Sequence, residues 1–300
     1  MKNVLIIGCG DIGHRVAVLE QRDGNRVAAL ARSEDTAGRL KAHGIEPIRG
    51  DLDDPRSLNG LPAQATLLYY FAPPPPRGTT DPCMEALLSV IVPPGVPERV
   101  LLISTTGVYG DCGGAWITED WPPNPQSDRA RRRLDAENAL RRWSEGTRVP
   151  IVILRVAGIY GPGRLPEMRL RSGEPVLRED VSPWSNRIHA DDLARACVAA
   201  ARRGKLGAIY NVSDGHPSTM SDYFFRVADL LGIPRPPTIT MEEAGRALSP
   251  GMLSYLAESK RIDNRRMREE LGIEPLYPTL ESGLPSCIDP TAVHWARGTE

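Results

Sequence analysis

Along the first two thirds of the chain, short apolar runs alternate with stretches whose apolar residues recur at helical spacing. Residues 4–7 form an unbroken apolar run, the pattern of a parallel strand buried on both faces, and Ile12, Val16 and Leu19 beyond it fit a helix. The unit repeats. Residues 26–31 predict a second strand with a helix from Ala37 to His43, and residues 45–48 a third strand. Residues 65–72, 99–104, 150–156 and 208–212 predict four more. A helix is expected over 127–143, entered by Ser127 and Asp128, and another behind Asp191 or Asp192 with Leu193, Ala196, Cys197 and Ala200 on one face. Such alternation implies right-handed crossovers and a doubly wound parallel α/β sheet. It loosens at residue 164, and helices expected near 219–231, 241–247 and 263–271 suggest a smaller C-terminal lobe. The last dozen residues are expected to fray.

The break after the first strand carries chemistry. Gly8-Cys9-Gly10-Asp11-Ile12-Gly13 is G-x-G-x-x-G between a strand and a helix. There the first glycine makes a tight turn, the second admits a pyrophosphate close to the backbone, and the third packs helix on strand. The amides opening the helix face the phosphates. The expected architecture is therefore a Rossmann domain of residues 1–163 and 187–213, with a substrate lobe of residues 164–186 and 214–300.

About 20 residues past the glycines, an acid binds a ribose 2′-hydroxyl and an arginine accommodates a 2′-phosphate. Here the second strand ends in Arg32-Ser33, followed by Glu34 and Asp35. A guanidinium fork matches phosphate oxygens, so NADP is expected over NAD; a solvated surface arginine is the competing reading. Asp51, at the end of the third strand, suits an adenine amino group, while Asp53 or Asp54 suits a helix cap. The fourth strand runs through Phe71 and Ala72 into Pro73 and three further prolines, a stiff loop over the strand ends where ligands bind in such sheets.

Whole-chain properties narrow the classes. Lys+Arg 37 against Asp+Glu 38 gives a net charge of -1, which supplies no field for nucleic acid or acidic membranes. No stretch approaches the roughly 20 apolar residues of a membrane helix, and the N-terminal apolar run is too short for a signal peptide. The 5 cysteines are scattered, with no metal-ligand spacing, and read as reduced thiols of a cytoplasmic protein.

Taken in order, the glycine loop, Asp51-Leu52, residues 104–110 (STTGVYG), 159–163 (IYGPG), 187–193 (RIHADDL) and 210–213 (YNVS) resemble the extended and atypical short-chain dehydrogenase/reductases. The likeness is strongest to the NAD-dependent epimerase/dehydratase group. The resemblance implies a cofactor-binding Rossmann domain, a substrate lobe, nucleotide-sugar substrates handled by hydride transfer, and homodimers packed through helices. It also implies a catalytic Ser or Thr with a Tyr and a Lys spaced Y-x-x-x-K on one helical face. Thr105 matches the hydroxyl position, where it would polarise substrate. The helix, however, reads R-A-R-R-R, placing Arg129 at the tyrosine position and Arg133 at the lysine position. A guanidinium stays protonated, with a pKa above about 12, so Arg129 cannot shuttle a proton. Arg133 retains the ability to hold ribose hydroxyls or an anionic substrate.

For the missing proton carrier, Asp81 is one expectation, a turn or helix cap before Pro82 being its other reading. Tyr109 and Tyr160, after strand ends, are the others; His189 reads as structural. The run Arg129, Arg131, Arg132 and Arg133, with Arg141 and Arg142, is interleaved with acids and reads as a solvated, ion-paired helix rather than a nucleic-acid surface, though an anionic substrate or a dimer contact would use the same residues. Two functions follow: an NADP-dependent oxidoreductase with an altered Tyr/Lys pair, or a non-catalytic NADP(H)-sensing module acting through a protein partner.

Overall fold

Seven strands form one parallel sheet in the computed structural model, which describes residues 1–64 and 66–288. They are β1 (Asn3–Ile7), β2 (Arg26–Ala31), β3 (Glu46–Arg49), β4 (Thr66–Tyr70), β5 (Arg99–Thr105), β6 (Ile151–Val156) and β7 (Ile209–Val212). Their spatial order is β7-β6-β5-β4-β1-β2-β3, every neighbouring pair parallel. The chain order reverses between β1 and β4, the switch point at which such sheets open a ligand crevice.

The central strands are apolar throughout because helices cover both faces. On one face α1 (Asp11–Arg22), α2 (Glu34–Ala42) and the later helix α5 (Ala190–Arg203) pack Val16, Leu40 and Leu193 onto Ile6, Ala29 and Leu154. On the other, α3 (Pro82–Val90) and α4 (Asp128–Thr147) pack Leu87, Ala136 and Leu140 onto Leu68, Leu102 and Ile153. The expected α4 is four residues longer at its C-terminus, closed by Arg148 in the left-handed conformation at φ 61. α3 was anticipated only as a cap.

Beyond residue 213 come α6 (Met220–Leu230), α7 (Met241–Ala247), α8 (Pro250–Leu256) and α9 (Arg265–Leu271). Pairs of two-residue strands tie this region back to earlier chain: Val176–Leu177 beside Thr238–Ile239, and Trp184–Ser185 beside Ser218–Thr219. A third pair joins Trp116–Ile117 to Arg261–Ile262, so the stretch after β5 adds a strand to the C-terminal part. The anticipated fraying of the last dozen residues lies outside the described ones, as does Ala65 of the expected fourth strand. Among the described residues no helix is long and apolar enough to cross a membrane.

Candidate active site

The glycine loop adopts the geometry its spacing predicts. Gly8 sits at φ +93, and a Cβ there would lie 2.4 Å from the amide nitrogen of Ala72, so only glycine lets β1 and the end of β4 close up. A Cβ on Gly13 would meet the Gly8 carbonyl at 2.8 Å, while one on Gly10 would face open space. No side chain caps α1, so its first amides are left for a ligand. Asp11 would repel phosphates, but its carboxylate is turned aside: one oxygen accepts from Arg15 Nε at 3.0 Å and the other from Arg164 Nε. Burial pushes this carboxyl up, yet the bonds and charges of Arg164 and Arg15 outweigh it and hold the group below its ordinary range. The loop fits a dinucleotide pyrophosphate.

Neighbouring strand ends complete this edge. Arg32 is exposed at the end of β2, and Ser33 caps α2 by accepting from Thr36 N at 3.2 Å. At the end of β3, Asp51 folds into a turn, with Oδ1 accepting from Asp53 N at 3.0 Å, and Asp54 caps the following 3-10 turn. Leu52 packs partly buried against the second core. Beyond β4, the Phe71 amide donates to the Ile7 carbonyl at 2.7 Å, and the Ala72 carbonyl accepts from Arg133 Nη1 at 3.1 Å. Pro73 follows in the same loop, and Pro74 reaches the cavity wall.

That cavity measures about 620 Å³ and lies between the sheet's ligand edge and the C-terminal region. Thr105, Arg129 and Arg133 line one side; Trp184, Tyr223 and Tyr255 are among the residues lining the other. Thr105 Oγ1 accepts from Gly107 N at 3.1 Å, which leaves its hydroxyl hydrogen to donate. Arg133 is held by the Ala72 carbonyl, and burial lowers its guanidinium from the usual value. Arg129 donates to Ser254 Oγ at 2.6 Å and stacks 3.6 Å from the Tyr255 ring centroid.

Two expected catalytic groups lie elsewhere. Asp81 is fully buried as the N-cap of α3, accepting from Met84 N at 3.1 Å while its own amide donates to Asp135. It does not line the cavity, and burial raises its carboxyl from the usual range. Tyr109 is also fully buried: the 3-10 turn Thr106–Tyr109 rolls it inward, where its hydroxyl donates to Asn211 Oδ1 at 2.7 Å. Burial pushes that phenol up to about 12, out of reach of neutral-pH acid–base work. Tyr160 is likewise buried, packed against His189, whose Nδ1 accepts from Asp191 N at 3.2 Å.

The arginine helix is less ion-paired than its sequence suggests. Arg131 bridges Asp128 at 2.8 Å, but Arg132 donates to the Gly78 carbonyl and Arg129 and Arg133 turn into the cavity. Sequence reasoning also missed Arg164, Arg187, Glu258 and Lys260 on the cavity wall. Lys260 Nζ bridges Glu258 at 2.7 Å and donates to the Gly110 carbonyl at 2.6 Å, tying the C-terminal region to the turn after β5. Only Arg187 belonged to a noticed motif; the others lie in segments without periodic signal.

Comparison with known proteins agrees with this geometry. The model of the NAD dependent epimerase/dehydratase family matches residues 4–213. A Streptomyces 3-diazoavenalumate denitrifying reductase is 30% identical over 306 residues, covering 94% of this chain and 98% of its own. A solved structure of a functionally unknown conserved protein from Silicibacter pomeroyi is 30% identical with a TM-score of 0.78, covering 95% of this chain and 97% of that one. The UDP-glucuronic acid 4-epimerase of Bacillus cereus, solved with UDP-glucuronic acid and NAD, shares the fold at TM-score 0.73 and 21% identity, covering 95% and 97%.

Proposed function

The chain belongs to the NAD-dependent epimerase/dehydratase family, and from that premise we propose that it is an NADP-binding oxidoreductase acting on a nucleotide sugar or a related carbonyl or hydroxyl compound, with Arg129 and Arg133 in place of the usual Tyr and Lys. The observation that carries this reading is a convergence at one strand end. Gly8 packs on Ala72, the Ala72 carbonyl holds Arg133, and Arg133 lines the large cavity. A dinucleotide on the glycine loop would supply a hydride donor or acceptor at that edge.

The chain's own residues then divide the work. Gly10 and the uncapped start of α1 receive the pyrophosphate. Arg32 and Ser33 take the 2′-phosphate, Asp51 the adenine side, and Arg133 ribose hydroxyls or a nearby negative charge. Thr105 donates its hydroxyl hydrogen to a substrate oxygen. No residue at the tyrosine position exchanges a proton, so the proton comes from solvent or from the substrate itself.

The test combines binding and turnover. NADP and NAD titrated against the wild type and Arg32→Ala should show loss of NADP affinity far exceeding loss of NAD affinity; equal losses remove the 2′-phosphate role. NADPH oxidation and isotope exchange across nucleotide sugars and carbonyl compounds test the activity. Tight cofactor binding with no turnover on any of them, and sedimentation that changes with NADP or NADPH, would favour the sensing module instead.

A further inference from the structure

The glycine loop sets out amides for a pyrophosphate but supplies no positive side chain of its own. Its one charged residue, Asp11, is negative and stands in the first turn of α1, where the negative charges of a pyrophosphate would also lie. Four charged groups meet there. Arg15, one turn along α1, donates from Nε to Asp11 at 3.0 Å and from Nη1 to Asp191 in the first turn of α5. Arg164 donates from Nε to the other Asp11 oxygen at 2.5 Å. Two carboxylates and two guanidiniums balance, and a dinucleotide would add negative charge to that balance.

The two arginines differ in what they have left to give. Arg15 is divided between Asp11 and Asp191 and already answers the Asp11 charge from within its own helix. Arg164 uses Nε alone, and among the described residues its Nη1 and Nη2 meet no acceptor, so both terminal amino groups of the fork keep their donors. Its place is fixed from two sides. Residues 158–160 pair in parallel with residues 187–189, the strand that leads into α5, and the Arg164 amide donates to the Gly161 carbonyl at 3.0 Å to close the turn that follows. Asp11 then holds the guanidinium within one short side chain of the amides that open α1. Arg164 also lines the cavity that Thr105 and Arg133 reach, so it joins the phosphate-binding edge to that cavity.

We propose that Arg164, oriented by Asp11, is a cofactor-binding residue whose terminal amino groups donate to the pyrophosphate of the bound dinucleotide while Nε stays on Asp11. This role rests on the dinucleotide site of the proposed oxidoreductase and adds to it the positive charge that the glycine loop lacks. An arginine fork on phosphate fixes direction as well as charge, so Arg164 sets how the dinucleotide runs from the glycine loop into the cavity. Asp11, adverse to phosphate on its own, becomes the group that aims the arginine.

Calorimetric titration with NADP and with 2′-AMP, which shares its adenosine 2′-phosphate but has no pyrophosphate, tests this; NAD and adenosine replace them if the wild type prefers NAD. Arg164→Gln should weaken the dinucleotide about 10- to 100-fold and leave the pyrophosphate-free ligand nearly unchanged. Arg164→Lys, which keeps the charge and loses the fork, should fall between the wild type and Arg164→Gln, and it carries the same comparison if Arg164→Gln does not fold. Asp11→Asn separates contact from neutralisation. In that background there is no carboxylate left to neutralise, and Arg164→Gln should still cost about tenfold or more. No loss there, or an equal loss for the ligand without pyrophosphate, overturns the role. A wild type that binds neither NADP nor NAD defeats the dinucleotide site and this role with it, whereas tight binding without turnover defeats only the oxidoreductase reading and leaves the affinities to decide Arg164.

Discussion

Glu137 is the anchor of the face that aims Arg129 and Arg133 at the cavity, since residues 129, 133 and 137 follow one another at four-residue spacing on α4. Its carboxylate accepts from Ser104 at 2.5 Å on β5 and from Arg155 Nε and Nη2 at 3.2 and 2.8 Å on β6. The two charged side chains are 1% and 3% exposed. Glu137→Ala leaves the Arg155 guanidinium buried against the Tyr109 ring, 4.7 Å from its centroid, with no countercharge. Removing one partner of a buried pair costs about 3–5 kcal/mol. At about 2–4 °C per kcal/mol for a chain of somewhat smaller size, the unfolding midpoint should fall by about 6–20 °C. Replacing both partners, Glu137→Leu with Arg155→Met, removes the stranded charge as well and should recover much of the loss. Differential scanning calorimetry on the wild type, Glu137→Leu, Arg155→Met and the double variant closes the cycle, with Glu137→Ala measured beside it. The reasoning fails if Glu137→Ala shifts the midpoint by less than about 2 °C, or if the double variant is no more stable than the worse single one. NADP affinity should fall with Glu137→Ala, because Arg133 loses its registration one turn away.

Other outcomes follow from the buried groups. Tyr109→Phe strands the Asn211 side-chain oxygen and should cost about 1–3 kcal/mol in urea unfolding, with turnover per folded molecule unchanged; abolished turnover would restore Tyr109 as a proton carrier. Asp214, lifted to about 7 chiefly by burial, keeps its proton in the folded state over a range where the unfolded chain has lost it. A raised carboxyl makes folding stability decline as pH rises from about 4 towards 7, and Asp214→Asn removes that slope. Urea midpoints at pH 5 and pH 8 should therefore separate variant from wild type more at pH 8, and parallel profiles would refute the assignment.

The sheet was legible because each strand is an apolar run bounded by its own turn residues, and because crossover handedness leaves few orders for seven such runs. Boundaries moved at several elements: β3, β6 and β7 begin one residue later than expected, β4 ends two residues sooner, and α8 was hidden because Pro250-Gly251 resembles a turn although Ser249 caps a helix there. The placement of Gly8 to Gly13, Arg32 and Ala72 was legible for the same reason as the sheet, since all sit at strand ends. The cavity was not. Trp184, Arg187, Tyr223, Tyr255 and Lys260 come from separate segments joined by two-residue strands, too short for any period to register. Asp81 and Tyr109 sit away from the cavity for a different reason. Both follow or adjoin strand ends, but Asp81 is claimed by the amides of α3, and the Thr105–Gly107 bond starts the turn that buries Tyr109.

The α4 arginines mark where composition misleads and periodicity corrects it. Interleaved acids suggested a solvated helix, yet 129, 133 and 137 share one face, and Glu137 is fully buried. A charged stripe whose continuation is a buried ion pair cannot be turned to solvent without withdrawing that pair from the core. The helix is therefore oriented by Glu137 and Arg155, and the guanidiniums two turns and one turn before it are carried inward by the same constraint. In this chain the two arginines at positions 129 and 133 are placed by the core.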